Sequence, residues 1–298
     1  MPSLIETHKL SKRYGERYAL EELDLVLRQG EVLGYLGPNG AGKTTTIRLL
    51  LGLIAPTAGS ATIFGLDAQH DVTEIHQRLA YVPGDVNLWP ALTGLETLAL
   101  LGRLHGRVDN VYRDELIERF DFDPSKKVRA YSKGNRQKVS LIAALMTRAE
   151  LLILDEPTSG LDPLMEKVFR DCIVEAKDNG QTVFLSSHIL SEVEALCDRV
   201  AILREGVLLE QGTLAELRHL SALDVEATFE GAPPDVSSVP GVVSSQIDGN
   251  HLRCQVEGSM APLLSVLVQA GVRDLLSNKP SLEELFLSHY GAGEKAAA

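Results

Sequence analysis

One stretch of this 298-residue chain decides its fold: Gly37-Pro38-Asn39-Gly40-Ala41-Gly42-Lys43-Thr44-Thr45. It matches the phosphate-binding pattern G-x-x-x-x-G-K-[ST], followed by a second Thr. Glycines let the backbone curl so that successive N–H groups point at an anion. Lys43 places a positive charge on the β- and γ-phosphates, and the Thr44 hydroxyl is placed to bind Mg²⁺. The stretch therefore predicts a phosphate-binding loop.

The sequence on either side of this loop supports the same interpretation. Residues 31–36 are mostly apolar and predict a buried strand that enters the loop. Residues 45–51 predict a helix that leaves it, with the positive end of the helix facing the phosphates. A strand before and a helix after argue against the alternative, a glycine-rich turn with a chance Lys.

Composition limits the classes of protein to which this chain can belong. The hydrophobic content is 44%, which is ordinary for a globular protein, and the length allows one large domain plus a small one. The net charge of −12 argues against a general nucleic-acid-binding surface. The three cysteines lie far apart and predict buried or incidental thiols in a reducing compartment. No secretion signal or 18-residue apolar run is present, so we expect any membrane function to need a partner.

The segments before and after the loop divide into two kinds of structure. Residues 4–10 and 18–28 alternate like the strands of an antiparallel hairpin. Tyr14 lies in the turn between them, where it either stacks on an adenine ring or covers the hairpin. Residues 90–149 predict a helical insertion, with Thr93 and Glu96 forming a capping box. The predicted apolar face of its first helix consists of Leu95, Leu98, Ala99 and Leu101.

Acidic side chains follow a strand that is apolar throughout. Residues 151–154 predict a fully buried parallel strand, and Asp155 and Glu156 come directly after it. Ligands of α/β proteins bind at the carboxyl ends of such strands. Asp155 can hold Mg²⁺, and Glu156 is placed to orient or deprotonate a water molecule. His188 follows a second apolar strand, over 182–187, at the same edge.

Beyond residue 221 the composition changes, and short strands alternate with glycine and proline. We expect a large domain over 1–221, a small α+β domain over 222–290 and a tail over 291–298. The elements predicted for the small domain are strands at 224–229, 242–247, 251–256 and 272–276, and helices at 260–270 and 281–290.

Taken in order, these motifs resemble the ATP-binding subunit of ABC transporters over residues 3–220. Tyr14 matches the adenine-stacking aromatic residue of that family, and His188 matches its switch histidine. Asp155 and Glu156 match its magnesium-binding and catalytic acids. The stretch 160–162, which includes Asp162, matches its dimer-contacting loop. The resemblance implies a mixed sheet core with an antiparallel β subdomain and a helical subdomain.

The family's signature, usually Leu-Ser-Gly-Gly-Gln, corresponds here to residues 131–137. In the family, two cassettes pack head to tail, and the signature of one caps the γ-phosphate held by the other. The resemblance therefore implies a homodimer in which Ser132, Lys133, Gly134 and Asn135 contact nucleotide. Considered alone, this stretch is an ordinary helix cap. Lys133 and Asn135 depart from the family's residues, whereas Ser132 and Gly134 remain.

By this resemblance the chain is an ATP hydrolase that powers an exporter of drugs, antibiotics or other hydrophobic substrates. Its expected cofactors are ATP and Mg²⁺, with Lys43, Glu156 and His188 as catalytic groups. Its expected partner is a separate membrane subunit of about six helices at the cytoplasmic face of a bacterial membrane, with no nucleic acid. The exporter subtype is implied by residues 280–290, which resemble the end of bacterial drug- and antibiotic-resistance cassettes. The alternative is a soluble ABC ATPase that acts on nucleic acid or ribosomes.

A second departure concerns the position where the family usually has a Gln that touches Mg²⁺. Here that position is Gly84, followed by Asp85. We expect Asp85 or the bare backbone to replace the missing link, with Asp85 as a candidate metal ligand. Asp85→Ala should then weaken transport-coupled turnover and leave nucleotide affinity nearly intact. Unchanged turnover, measured with the membrane partner present, would remove Asp85 from this role.

Overall fold

The computed structural model describes residues 2–219 and 223–278. Backbone contacts divide the chain into two compact units, which meet between Gln211 and Gly212. The sequence placed the boundary later, after residue 221. The helix expected over 281–290 and the tail over 291–298 lie outside the described residues.

The first unit contains eleven strands and seven α-helices within the described residues. Its strands are β1 (Ser3–Tyr14), β2 (Arg17–Leu23), β3 (Val26–Arg28), β4 (Val32–Leu36), β5 (Ala58–Ile63), β6 (Leu66–Asp67), β7 (Leu79–Val82), β8 (Leu151–Asp155), β9 (Thr182–Ser187), β10 (Arg199–Arg204) and β11 (Val207–Thr213), the last of which crosses the boundary. Its helices are α1 (Lys43–Leu50), α2 (Val72–His76), α3 (Gly94–His105), α4 (Asn110–Arg119), α5 (Lys133–Leu145), α6 (Pro163–Asp178) and α7 (Leu190–Leu196), with a 3₁₀ turn at Val128–Ala130.

The larger sheet has the strand order β11-β10-β4-β9-β8-β7. The five strands from β10 to β7 run parallel. Every residue of β4, β8 and β9 is buried, which explains why these strands are apolar for most of their length rather than alternating. The parallel strand predicted over 151–154 is confirmed and extends one residue further, to Asp155. Its carboxyl end lies beside those of β7 and β9, so the acids at 155 and 156 emerge where neighbouring strands end.

The smaller sheet is antiparallel, with the order β2-β1-β5-β6 and with β3 also paired to β1. The predicted antiparallel pairing is confirmed, since β1 pairs with β2. The strand expected over 18–28 is divided into β2 and β3, and Tyr14 is the last residue of β1, paired with Arg17, rather than a turn residue. Helix α1 packs against β2 and β5 of this sheet and against β8 of the larger one. One hydrophobic core joins the elements, including Ile5, Tyr35 and Ile47. The helix that follows the phosphate loop is thus held by both sheets.

The helical insertion contains α3, α4 and α5, and its predicted capping box is confirmed. The Glu96 N–H donates to Thr93 Oγ1 at 3.2 Å, and the Thr93 N–H donates to Glu96 Oε2 at 2.7 Å. The predicted apolar face of α3 is wrong in part, because Leu95 and Ala99 are exposed. Leu98 is fully buried, as predicted.

Two glycines explain the misassigned face of α3. The helix buries Gly94 and Gly102 together with Thr97 and Leu98. A Cβ on Gly94 would lie 2.4 Å from Tyr131 Oη, and one on Gly102 would lie 2.4 Å from Val108 Cγ2. Close approach of the neighbouring segments therefore sets the buried face. Counting apolar side chains cannot identify such a face, because glycine has no side chain to count.

The second unit contains α8 (Leu214–His219), β12 (Leu223–Phe229), β13 (Val242–Asp248), β14 (His251–Val256), α9 (Ala261–Gln269) and β15 (Val272–Asn278). Its strands form an antiparallel sheet with the order β13-β14-β12-β15. Val225, Leu252 and Leu263 belong to its separate core. The predicted strands and the helix at 260–270 are confirmed. Across both units, no helix of residues 2–219 and 223–278 is long and apolar enough to cross a membrane.

Candidate nucleotide-binding site

The phosphate-binding loop lies between the end of β4 and the start of α1, and its backbone is packed tightly. Gly42 has a φ of 112°, a left-handed conformation that favours glycine. A Cβ at Gly42 would lie 2.5 Å from the carbonyl oxygen of Ala19. The Gly206 N–H also donates to the Ala41 carbonyl at 2.8 Å. Strand β2 and the turn after β10 thus fix the shape of the loop.

The Lys43 side chain is almost wholly buried inside this loop. Its ammonium donates to the Gly37 carbonyl at 2.6 Å and to the Pro38 carbonyl at 3.3 Å. It also lies 3.4 Å from Glu156 Oε1. A buried positive charge needs such oxygen partners, because desolvation without them is costly. The ammonium is therefore held at the centre of the loop, between the backbone and one carboxylate.

Asp155 connects the loop helix to the parallel strands. Its carboxylate is buried; Oδ2 accepts a hydrogen bond from Thr44 Oγ1 at 2.9 Å, and Oδ1 accepts one from Ser186 Oγ at 2.5 Å. Burial, together with the charge of Asp155, raises the pKa of the Tyr81 phenol to about 12. The predicted neighbours Thr44 and Asp155 are thus brought together. Ser186 was missed, since a serine that ends an apolar strand carries no motif.

The Thr44–Asp155 pair has the chemistry that Mg²⁺ requires. Mg²⁺ usually takes one or two protein carboxylates and completes its shell with substrate phosphates and water. A hydroxyl and a carboxylate side by side fit this pattern. The residues that the structure describes hold no cluster of three or more His, Cys, Asp or Glu that would form an all-protein metal cage. Thr44 and Asp155 are therefore the residues that would hold the ion together with a nucleotide.

Glu156 and His188 meet at the same edge of the sheet. His188 Nδ1 lies 3.3 Å from Glu156 Oε1, the oxygen that also faces Lys43. Glu156 has a φ of 48°, and its N–H donates to the Ser186 carbonyl at 3.0 Å. Such a backbone conformation costs on the order of 1–3 kcal/mol for a non-glycine residue and is concentrated at functional sites. Both side chains are partly exposed, so water can reach the carboxylate.

The segment after β7 contains Gly84, the position where the family usually has Gln. A Cβ on Gly84 would lie 3.3 Å from the Asp155 carbonyl oxygen and 3.7 Å from its carboxyl group. Asp85 is exposed, and within the described ranges its side chain makes no hydrogen bond or ion pair. The observed contact with Asp155 thus belongs to the backbone at Gly84. A metal-binding role for Asp85 stays a prediction.

Tyr14 ends β1 with about half of its side chain exposed (52%). The Lys12 ammonium lies 5.3 Å from the centre of its ring. The ring is therefore accessible to a ligand, although its stacking on adenine stays a prediction.

The signature residues form the beginning of α5. Ser132 is the N-cap, and its Oγ accepts from the Asn135 N–H at 3.3 Å. Gln137 Nε2 donates to the Pro157 carbonyl at 2.8 Å, which ties the helix to the segment after β8. Within the described part of the chain, no hydrogen bond or ion pair joins residues 132–135 to the phosphate loop. Within one chain, the phosphate loop and the signature residues therefore do not form a joint site.

Asp162 caps α6. Its Oδ1 accepts from the backbone N–H groups of Leu164 and Met165, each at 3.0 Å. Pro163 follows as the first helical residue, where its missing N–H costs nothing. Within the chain, Asp162 thus caps a helix. Its contact with nucleotide or with a second copy stays a prediction.

Comparisons with known proteins agree with this geometry. The sequence profile described as "ABC transporter" matches residues 20–159. The daunorubicin resistance ATP-binding protein DrrA3 of Streptomyces coeruleorubidus is 37% identical over 292 residues, which cover 93% of this chain and 92% of that protein. The protein belongs to the ATP-binding subunits of ABC transporters. The bacitracin transport ATP-binding protein BcrA of Bacillus licheniformis is 42% identical over 214 residues, covering 71% of this chain and 70% of its own.

A solved structure supports the same assignment. The ATP-binding subunit of an ABC transporter superposes with a TM-score of 0.68 at 34% identity and covers 72% of this chain and 92% of its own. The predicted family, fold class and ATP hydrolase activity of this subunit are therefore confirmed. ATP-binding subunits of this family dimerise and work with separate membrane subunits.

The Thr44–Asp155 contact predicts a metal phenotype. Thr44→Ala removes a hydroxyl that would hold the ion and should weaken Mg²⁺ binding to the nucleotide complex by roughly 10- to 100-fold or more, since the loss of a group that only orients a metal ligand already costs this much. The measurement is a Mg²⁺ titration followed by the fluorescence of a bound ATP analogue. Thr44→Ser keeps the hydroxyl and should bind Mg²⁺ as the parent does. Equal Mg²⁺ affinity in the alanine variant would contradict the assignment.

Proposed function

We propose that this subunit binds ATP with Mg²⁺ and uses its hydrolysis to drive the export of a drug, an antibiotic or another hydrophobic compound. The names of the daunorubicin and bacitracin relatives support this substrate class. The observation that carries the chemistry is the convergence of Lys43, Glu156 and His188 beside the Thr44–Asp155 pair. The subunit would work at the cytoplasmic face of a bacterial membrane, attached to a separate membrane subunit of about six helices.

Each group at the site has a role that its position supports. Thr44 and Asp155 would hold Mg²⁺, which would neutralise negative charge on the phosphates. The Lys43 ammonium and the loop N–H groups stabilise negative charge as the terminal phosphoryl group leaves. Glu156 orients a water molecule and accepts its proton. His188 contacts the Glu156 carboxylate and keeps it aimed at that water.

A complete site needs two copies of the chain. Ser132 and Gly134 lie at the beginning of α5, where unpaired N–H groups and the positive helix end attract phosphate. One chain has one phosphate loop and one such helix start, and these do not bond to each other. A two-fold axis would bring each helix start to the loop of the other chain. ATP then bridges the two copies, and hydrolysis removes the bridge.

A cavity near the nucleotide site supports docking of the membrane subunit. It has a volume of about 360 Å³, and its apolar lining includes Val86, Trp89 and Leu101. Tyr81 also lines it and belongs to β7, the strand that leads to Gly84 beside Asp155. A segment seated in this cavity would therefore contact the same stretch of chain that touches the metal-binding acid.

His105 indicates which chemistry that segment brings. Its Nε2 lies 3.1 Å from the Leu79 carbonyl and therefore donates to it, and burial lowers the pKa of the ring. Nδ1 of this neutral ring is a buried acceptor with no hydrogen-bond partner among the described residues. A helix end from the membrane subunit can supply an N–H or O–H donor there, together with apolar side chains.

Replacing the proposed base is the direct test of hydrolysis, and Glu156→Gln should keep ATP binding and lose roughly 10²–10⁴-fold in turnover. The amide has nearly the shape of the carboxylate but cannot accept the proton. Steady-state phosphate release and ATP binding by equilibrium fluorescence provide the measurements. Glu150→Gln is the control, since Glu150 pairs with Arg78 at the other end of the same strand. An active Glu156→Gln variant would remove Glu156 from this role.

Trp89→Ala tests the docking cavity. Trp89 is 47% exposed, so its loss should spare the fold, whereas a large aromatic side chain at an interface often dominates binding. We expect about tenfold weaker retention on a tagged, co-expressed membrane protein encoded next to this chain. Leu104→Ala changes a more exposed residue of α3 outside the cavity lining and should have no effect. Equal retention of the Trp89 variant, or co-purification with nucleic acid instead, would contradict membrane docking here.

A further inference from the structure

Lys133 places an ammonium group where ABC signatures usually have glycine. It is the first residue of α5, and its side chain is exposed. Nζ donates to Ser159 Oγ at 2.7 Å. Among the residues that the structure describes, Lys133 has no acidic partner. Its only hydrogen-bond partner there is a neutral hydroxyl, which holds an ammonium less strongly than an anion does.

Ser159 lies in the turn that starts at Glu156. The Ser159 N–H donates to the Glu156 carbonyl at 3.1 Å. The same turn packs on the start of α5, because a Cβ on Gly134 would lie 2.4 Å from the Gly160 carbonyl oxygen. Lys133 carbons lie 3.3–3.4 Å from the Cβ position of Gly160. A short path of contacts therefore runs from Lys133 through Ser159 to the backbone of Glu156.

We infer that the Lys133 ammonium moves between Ser159 of its own chain and the terminal phosphate of ATP held by a second copy. This inference rests on the proposed function, in which the start of α5 faces that phosphate. The lysine stem is flexible, and phosphate oxygens are charged acceptors. Binding of ATP to one chain would thereby remove a hydrogen bond from the turn that carries Glu156 in the other.

Two consequences distinguish this exchange from a purely structural lysine. The two-fold dimer gains two positive charges on its bridging nucleotides, so its stability should depend on salt through Lys133. The two ATP sites should also influence each other, because each Lys133 contacts one nucleotide and the turn beside the other. Removing Ser159 Oγ should abolish the coupling between the two ATP sites and leave the salt dependence of the dimer unchanged.

The first test measures dimerisation of the full chain in the Glu156→Gln background with Mg²⁺ and ATP. Adding Lys133→Ala should weaken the dimer about tenfold and reduce its salt dependence. Lys138→Ala removes the same charge from a partly exposed position of the same helix, where Nζ donates to the Asp121 carbonyl at 3.4 Å, and should leave the dimer unchanged. Binding of a fluorescent ATP analogue to the monomer shows whether each variant is folded.

The outcomes separate this inference from the proposed function. A Glu156→Gln chain that stays monomeric with ATP overturns the two-copy site itself. A dimer that is equally tight with and without Lys133 overturns the role of the lysine alone.

The second test measures site-to-site coupling with Glu156 intact. Ser159→Ala should lower the Hill coefficient for ATP in hydrolysis towards 1, and in the Glu156→Gln background it should keep the dimer as tight as its parent. A Ser159 variant with unchanged cooperativity overturns the coupling through the turn.

Discussion

The buried carboxylate of Asp155 is the point on which the rest of the site depends. It receives hydrogen bonds from Thr44 at the start of α1 and from Ser186 at the end of β9. One group therefore fixes a helix and two neighbouring strands relative to each other. A buried carboxylate is tolerated only when such donors surround it. The same oxygens that satisfy the fold are the ones that Mg²⁺ needs, so stability and metal binding use a single feature.

Most of the fold could be predicted because its signals are local. The apolar strand over 151–154 and the Thr93 capping box depend on neighbouring residues, and both are confirmed, although the strand includes Asp155 as well. The buried face of α3 was not, because Gly94 and Gly102 are buried by close approach of distant segments. Tertiary contacts determine which face of such a helix is buried, and the number of apolar residues in the helix gives no information about those contacts.

The same division applies to the site. The loop, the two acids and His188 lie at the carboxyl ends of β4, β8 and β9, and the parallel sheet brings them together as expected. Ser186 and the positive φ of Glu156 could not be predicted, since they depend on the pairing of β8 with β9. The contact of Gly84 with Asp155 likewise follows from packing. The sequence showed that Gly84 stands where the family usually has Gln, but it left open whether Asp85 or the backbone replaces the Gln side chain.

The central claim is that two copies together enclose each nucleotide, and cysteine cross-linking tests it most directly. Burial raises the pKa of the three native thiols, Cys172, Cys197 and Cys254, so they should stay unreactive. One chain would carry Asn39→Cys and the other Asn135→Cys. The account predicts a two-chain product only from the mixture, and only with Mg²⁺ and ATP. A cross-link within a chain that carries both changes, or a product that ignores ATP, would contradict it.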